Sequence, residues 1–270
     1  MGEEVLYERR GRIAIITMNR PDKLNALNAA LISGLAEAWN RFQAEEDAWV
    51  AILTANGRAF CAGADLGMMS NMSAQARGEE PAGDASGDAS GDGQERMTGI
   101  ATPRNLKIFK PTIAAVNGYA VAGGFWMAMD CHLCVAAESA EFGITEPRWN
   151  LPGNWAADVT RHLNMRHAIE VTIVPQRITA QRAYEMGFVN WVTPREQLLD
   201  KALEVAEAIL LNAPAACRTY IETFYRTYNL PYEEALSLGG VIQGNLLTME
   251  DAQEGTRAFL EKRKPEFKNR

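Results

Sequence analysis

Long apolar runs are missing from this 270-residue sequence. No stretch approaches the roughly 18 consecutive apolar residues that a membrane span needs, although 47% of the residues are hydrophobic. The amino terminus, MGEEVLYERR, carries acidic residues and no apolar stretch, so we expect no signal peptide. These absences predict a cytoplasmic protein that does not contact a membrane.

Cysteine is scarce as well, with four residues in the whole chain, too few for a disulfide scaffold at this length. Two of them form the pair Cys131-x-x-Cys134, a spacing that redox and zinc sites also use. The pair lies in the apolar stretch MAMDCHLCVAA, and no second pair of ligands stands at similar spacing. We therefore expect small buried cysteines in a reduced protein, and no metal ligation.

Positive charge and histidine are also in short supply. The 34 acidic and 27 basic residues give a net charge of -7, so nucleic acid is a poor default partner. Only His132, His162 and His167 are available for a Ser-His-Asp triad, and none follows a nucleophile motif. A serine hydrolase is accordingly disfavoured.

What the sequence does contain is a regular alternation of strand and helix patterns. Strands are predicted at residues 5–8, 12–18, 49–54, 112–116 and 132–137, and helices at 28–45, 97–109 and 123–130. The alternation continues to about residue 192, which predicts an α/β fold with right-handed crossovers. Beyond Pro194 the pattern is helical only. We therefore predict a core at 1–199 and a helical region at 200–270.

Residues 74–96 differ sharply in composition from the rest. The sequence AQARGEEPAGDASGDASGDGQE has no large apolar side chain. Such a segment cannot bury enough surface to offset the entropy lost on ordering, so it is predicted to be a mobile loop. A lid over a site and a neutral insertion both remain open as its role.

Two segments share one design, a buried strand followed by a glycine-rich turn and a helix. The turns are residues 57–66 (GRAFCAGADL) and 117–124 (NGYAVAGG). Small residues let a ligand approach the backbone closely, and a helix N-terminus offers unpaired N–H donors. Two such turns aimed at one point would bind an oxyanion or enolate. Neither matches the G-x-G-x-x-G dinucleotide pattern, which disfavours a Rossmann fold.

Six segments, in order along the chain, carry a family resemblance. They are residues 19–27 (NRPDKLNAL), 57–66, 114–124 (AAVNGYAVAGG), 142–147 (FGITEP), 178–190 (ITAQRAYEMGFVN) and 254–267 (EGTRAFLEKRKPEF). Together they resemble the crotonase, or enoyl-CoA hydratase/isomerase, family over nearly the whole chain. The resemblance implies a spiral of ββα units with a C-terminal helical trimerisation region. It also implies an acyl-CoA thioester substrate and no permanently bound cofactor, because coenzyme A is part of the substrate.

The resemblance assigns roles to individual residues. The N–H groups of Ala64 and Gly123 would hold the thioester oxygen. The positions that match the pantetheine and adenine channel are Lys23, Ala62, Asp65 and Leu66. Lys262 matches a basic position that meets CoA phosphates, or else it belongs to a solvated basic tail. The expected assembly is a homotrimer or a hexamer made of two trimers.

The sequence departs from the family pattern at Trp126. Family hydratases use two glutamates, and the earlier one should stand two residues after the Gly-Gly pair, where this chain has Trp126. An indole has one N–H donor and no basic site, so it cannot activate water. Trp126 would instead line the acyl pocket, or it is a core tryptophan. Asn154 and Asp158 lie near a position where some members carry an extra acid, so Asp158 is either a second acid or a surface charge.

The later family glutamate survives as Glu146. Apolar surroundings would raise the pKa of its carboxyl toward neutrality and make it a proton shuttle above a stabilised enolate. One carboxylate suffices to move a double bond, so the sequence predicts isomerisation. Hydration despite the missing glutamate, and CoA binding without catalysis, are the alternatives.

Overall fold

The computed structural model describes residues 3–65 and 100–270. The predictions for Leu66 and for residues 74–96 therefore lie outside the described residues. Within the described ranges, no helix is long and apolar enough to cross a membrane.

Ten strands of the described chain form two mixed sheets. Their bounds are β1 Val5–Arg10, β2 Ile13–Met18, β3 Val50–Ala55, β4 Ala59–Cys61, β5 Thr112–Val116, β6 Tyr119–Val121, β7 Leu133–Ala137, β8 Glu141–Gly143, β9 Ile178–Thr179 and β10 Trp191–Thr193. The large sheet has the order β1-β2-β3-β5-β7-β10, and the small sheet has the order β4-β6-β8-β9. Only the β1–β2 and β8–β9 pairs are antiparallel.

The chain passes repeatedly from one sheet to the other. Strands β3, β5 and β7 lie side by side in the large sheet, and each is followed by a short strand, β4, β6 or β8, in the small sheet. Each small-sheet strand pairs in parallel with the next one of the series. This stepwise path is the α/β spiral of strand–strand–helix units that the sequence predicted.

Nine α-helices lie in the described ranges. They are α1 Ala29–Ala44, α2 Gly123–Asp130, α3 Val159–His162, α4 Met165–Ile173, α5 Ala180–Glu185, α6 Leu198–Ile209, α7 Pro214–Thr227, α8 Tyr232–Gln243 and α9 Glu250–Glu261. The predicted first helix is confirmed to within one residue at each end. Asn28 caps it by accepting the Leu31 N–H at 2.8 Å.

The helix predicted at residues 97–109 is wrong for the part that is described, from residue 100 onward. The backbone there forms turns, in which the Thr102 hydroxyl accepts the Asn105 N–H at 3.2 Å. Pro103 has no N–H for a helical bond, and Lys107 adopts a left-handed φ of 54°. Local side-chain bonding and the proline therefore outcompete the apolar periodicity.

The central strands of the large sheet, β2, β3 and β5, are buried on both faces. Along β3, Val50 and Ile52 point to one face, whereas Ala51 and Leu53 point to the other. The first face is covered by α6 through Ala202, Val205 and Ala206. The second packs against α1, α2 and the small sheet. Cys131 and Cys134 are buried as expected, and burial raises the pKa of both thiols.

The loop between β2 and α1 is held in place by one buried amide, that of Asn25. Its Oδ1 accepts the Arg20 N–H at 2.7 Å, and its Nδ2 donates to the carbonyls of Asn56 at 2.9 Å and Ala59 at 2.8 Å. Asn25 is fully buried and has a left-handed φ of 52°. The amide thus fixes residues 20–25 against the start of β4, beside the first glycine-rich turn.

We predict that Asn25→Ala lowers the free energy of unfolding by about 3 kcal/mol, because it removes three hydrogen bonds of a fully buried amide and leaves the buried Ala59 carbonyl without this donor. Chemical denaturation measures the change. The matched control is Asn212→Ala, whose exposed amide makes one long bond of 3.4 Å to Ile209. Equal stability of the two variants would contradict the anchoring role.

Candidate functional site

The first glycine-rich turn pairs with the loop that Asn25 anchors. The Ala62 N–H donates to the Leu24 carbonyl at 3.1 Å, Leu27 donates to Gly63 at 2.8 Å, and Asp65 donates to Leu27 at 2.9 Å. In this strand-like pairing, alternate N–H groups point to opposite sides. The N–H of Ala64 therefore points away from Leu27, and it has no acceptor among the described residues.

The second turn ends at the start of α2. The Ala122 N–H donates to the Gly143 carbonyl at 3.0 Å, and the first helical bond runs from Trp126 to Ala122 at 3.1 Å. Gly123 is the first residue of the helix, so its N–H belongs to the unpaired first turn. No acceptor for it lies in the described part of the chain.

The two turns are in contact. A Cβ placed on Gly63 would lie 2.6 Å from the Ala122 Cβ and 3.6 Å from the Gly123 nitrogen. A Cβ placed on Gly123 would in turn lie 3.8 Å from the Gly63 Cα. The structure therefore brings the segments Gly63-Ala64 and Ala122-Gly123 together, as the sequence predicted for the two turns.

Each of the two donor residues follows a residue with a positive φ. Gly63 has a φ of 86°, and Ala122 has a φ of 53° with a ψ of -123°. The backbone angles of the preceding residue set the direction of the next N–H group, so these two residues aim the Ala64 and Gly123 donors. For Ala122, which carries a Cβ, this conformation costs about 1–2 kcal/mol. Strain of that kind is typical of functional sites.

The second glycine of the Gly-Gly pair has a packing role. A Cβ on Gly124 would lie 2.2 Å from the Cys61 carbonyl oxygen. Only glycine therefore lets the first turn of α2 approach β4 so closely. This contact places Gly123 beside the first turn.

Glu146 begins the 3-10 helix Glu146–Trp149, three residues after β8. Its side chain is buried, and its Oε2 atom has no hydrogen-bond partner among the described residues. Burial raises the pKa of this carboxyl to about 7, while hydrogen bonds from the backbone and from the Trp155 indole lower it by less. The predicted raised pKa is therefore present, and the carboxyl can exchange a proton near neutral pH.

Trp126 lies in the first turn of α2 and is only 5% exposed. Its ring stacks on Trp155, with centroids 5.6 Å apart and ring planes within 3°. Trp126 belongs to the main apolar cluster, as expected if it is a core tryptophan. A role as a wall of the acyl pocket stays a prediction.

Asp158 lies between two guanidinium groups. Its Oδ1 is 3.0 Å from Arg104 and 3.2 Å from Arg161. Both partners are partly exposed, as is Asp158 itself. These contacts describe a structural ion pair bridging the turn at residue 104 and α3, and its role as a second acid stays a prediction.

The proposed CoA-contacting residues lie in two places. Lys23 is exposed in the 3-10 helix Pro21–Lys23, next to the loop that pairs with Ala62. Asp65 is paired with Arg20 at 2.9 Å. Lys262 is exposed at the end of α9, with a left-handed φ of 54°. The structure thus brings Lys23, Ala62 and Asp65 together around one turn and leaves Lys262 in the C-terminal region.

Sequence reasoning missed the contacts of two residues that shape the site. Trp155 is 29 positions from Trp126, and no local pattern marks its contact with Glu146. Asn25 belongs to the segment NRPDKLNAL, but its buried bonds to β4 join residues more than 30 positions apart. Both roles depend on contacts that only the fold creates.

Comparison with known proteins gives a consistent result. The family model for enoyl-CoA hydratase/isomerase matches residues 8–270. The enoyl-CoA hydratase EchA19 of Mycobacterium tuberculosis is 39% identical over 100% of this chain and 98% of its own. The mevalonyl-coenzyme A hydratase sidH of Aspergillus fumigatus is 34% identical over 95% of this chain and 91% of its own.

Solved structures agree on the fold. A crystal structure of an enoyl-CoA hydratase/isomerase from Mycobacterium paratuberculosis matches with a TM-score of 0.87 at 31% identity and covers 99% of both chains. That of an enoyl-CoA hydratase from Mycobacterium tuberculosis matches with a TM-score of 0.84 at 34% identity and covers 100% of both. The predicted fold class is confirmed.

We predict that Gly63→Ala lowers the free energy of unfolding by about 3 kcal/mol. The new methyl group would adopt an unfavourable left-handed φ and would collide with Ala122. The matched control is Gly187→Ala, since Gly187 has a φ of 84° and open space around its Cβ position. Denaturant unfolding of the control should show a loss of only about 1 kcal/mol. Equal losses would mean that the two turns are not in tight contact.

We also predict that Glu146→Gln stabilises the protein above pH 7 by about 3 kcal/mol. Glu146 in the folded chain keeps its proton up to about pH 7, whereas the ordinary pKa of an exposed glutamate is 4.5. Stability of the unsubstituted protein therefore falls as pH rises through that window, and glutamine removes this loss. Unfolding curves at several pH values measure it. The difference should vanish below pH 4.5, and a constant difference at every pH would contradict burial of the carboxyl.

Proposed function

Since the chain belongs to the enoyl-CoA hydratase/isomerase family and is an enzyme of that type, we propose that it moves the double bond of an enoyl-CoA thioester. The observation that carries the proposal is Glu146, a buried carboxyl with a pKa of about 7 and one unpaired oxygen. Such a group both accepts and returns a proton near neutral pH.

In the proposed reaction, the N–H groups of Ala64 and Gly123 donate to the thioester oxygen. The Glu146 carboxylate takes a proton from the α carbon, and the electron pair of that C–H bond moves toward the carbonyl to form a dienolate. The negative charge collects on the thioester oxygen, where two fixed donors stabilise it. Glu146 then returns the proton to the γ carbon, which leaves the double bond between the α and β carbons.

Isomerisation is favoured over hydration by the residue at position 126. Addition of water requires a second base to hold and deprotonate the water, and the Trp126 indole has no basic nitrogen. Asp158, the other candidate acid, is bound to Arg104 and Arg161. Hydration is the second candidate, because the relatives EchA19 and sidH are both named as hydratases.

The turn around Ala62 is the proposed binding place for the pantetheine and adenine parts of CoA. Its backbone is fixed by the Leu24 carbonyl, and the adjacent Lys23 is exposed and positively charged. Lys262 would meet a phosphate group. Lysine suits this role as a mobile point charge on a flexible stem.

We further propose that the chain assembles as a homotrimer, or as a hexamer of two trimers. Large apolar side chains are exposed on the C-terminal helices and the turns between them, namely Phe224, Tyr228, Leu236, Val241, Leu247, Phe259 and Leu260. Val241 is 76% exposed and Leu247 is 88% exposed. Clusters of this kind mark association surfaces.

Glu146→Gln is expected to lower isotope exchange between the substrate and deuterated buffer by at least about 100-fold, since glutamine cannot carry the proton. Mass spectrometry of straight-chain, branched and cyclic enoyl-CoAs follows both exchange and double-bond position. In the unsubstituted protein, kcat/KM should fall as pH drops below about 7, because the protonated carboxyl is no longer a base.

The control is Glu170→Gln, which removes a partly exposed carboxylate on α4 that pairs with Arg182. It should exchange at the unsubstituted rate. CoA binding should persist in Glu146→Gln. A product heavier by one water molecule would show that the enzyme hydrates its substrate and does not isomerise it. Full exchange activity in Glu146→Gln would exclude both reactions as proposed, since both depend on Glu146.

A further inference from the structure

The ring of Trp155 is enclosed by other aromatic rings. It lies parallel to Trp126 at 5.6 Å and lies 6.4 Å from the Phe125 ring, which itself stacks on Phe188 at 4.5 Å. Trp155 is only 6% exposed. In a core packed to this density, the ring has little freedom to change its rotamer. The direction of its N–H group is therefore fixed.

Each of the two stacked indoles interacts with a buried carboxyl group. Burial raises the pKa of Asp130, one turn further along α2, to about 6, and hydrogen bonding from Trp126 offsets part of that rise; hydrogen bonding from Trp155 has the same effect on the pKa of Glu146. Asp130 is fully buried, and its Oδ2 accepts the Thr102 hydroxyl at 2.6 Å. The pair of rings thus joins two carboxyl groups that lie in different elements of the fold.

Gly153 lies next to both the Trp155 indole nitrogen and the Glu146 side chain. A Cβ placed on Gly153 would lie 3.8 Å from the Trp155 Nε1 and 3.9 Å from both the Cβ and the Cγ of Glu146. The indole nitrogen and the glutamate stem therefore border the same small space. Glycine at this place adds no side chain there.

We propose that Trp155 is a positioning residue, whose indole N–H orients the Glu146 carboxyl so that Oε2 is presented to the substrate. Trp126 supports Trp155 by stacking in parallel against its ring. The inference rests on the proposed role of Glu146 as proton carrier. The inference also assigns a role to Trp126, because its parallel ring holds Trp155 in place.

The electrostatic surroundings make this contact measurable. Burial raises the pKa of Glu146, and the only opposing effects in the described chain are hydrogen bonds from the backbone and from Trp155. Arg148 shares the turn of Glu146, Asp130 shares α2 with Trp126, and Asp158 shares a 3-10 helix with Trp155. None of these three charged residues is among the causes of the shift. Loss of the indole donor should therefore raise the pKa further, because the donor favours the ionised form.

The test is Trp155→Phe, which keeps an aromatic ring and removes the N–H donor. The Glu146 carboxyl is titrated by infrared difference spectroscopy, with its band assigned by subtraction of Glu146→Gln. The expected result is an upward shift of about one pH unit. The pH at which kcat/KM is half-maximal should move with it, and exchange at the α carbon should fall about tenfold.

Two further variants make the test independent of folding. The control is Trp49→Phe, a tryptophan 6% exposed whose N–H donates to the Glu46 carbonyl at 3.1 Å, and it should leave the Glu146 titration unchanged. Benzothienylalanine at position 155 replaces the N–H by sulfur in a ring of the same shape. It should reproduce the shift without loss of thermal stability.

An unchanged Glu146 titration in both position-155 variants overturns the inference, and so does an unchanged pH profile. The infrared titration needs no turnover. An unsubstituted protein that exchanges no deuterium therefore refutes the proposed function, while a shifted titration still supports the contact between Trp155 and Glu146.

Discussion

The contact between two backbone turns, at Gly63 and Ala122, is the constraint on which the site depends. Both residues have a positive φ, and both directly precede a residue whose N–H lacks an acceptor in the described chain. The contact is so close that a methyl group on Gly63 would collide with Ala122. Each turn also continues a parallel strand of the small sheet, so the alignment of β4 with β6 determines how the two donors stand relative to each other.

The backbone strain at Ala122 and the burial of Glu146 both lower the stability of the folded chain. Both are unfavourable for the isolated backbone or side chain, and both persist because the surrounding sheets and helices are well packed. Asn25 contributes from the other side, since its three hydrogen bonds fix the loop against which the first turn is paired. Part of the stability of the scaffold therefore offsets the cost of keeping these polar groups away from water, which would otherwise hydrogen-bond to them.

Much of the fold was predictable because its signals are local. The apolar periodicity of α1 and the asparagine cap in front of it determine that helix, and uninterrupted runs such as β3 indicate strands with two buried faces. The region after residue 100 was not predictable in the same way, because Pro103 and the Thr102 hydroxyl override a helical pattern. The two donor turns were found from glycine and small residues, which are also local signals.

The remainder of the site depends on distant pairs. Nothing near Trp155 in the sequence indicates a parallel partner at Trp126, and nothing near Asp158 indicates that it is bound to Arg104. The replacement at position 126 was visible from the motif alone, but its physical meaning was not. That meaning lies in the stacking of the Trp126 ring on Trp155, the residue whose indole lowers the pKa of Glu146.

Helix α6 joins the C-terminal region to the rest of the molecule. Its residues Ala202, Val205 and Ala206 cover the face of the large sheet formed by side chains such as Ile52 and Ile113. A fragment ending near residue 199 would leave that face open to water and prone to aggregation. Gene fusions, truncations or exchanges of modules in this chain must therefore keep α6 with the sheets, whatever happens to the helices that follow it.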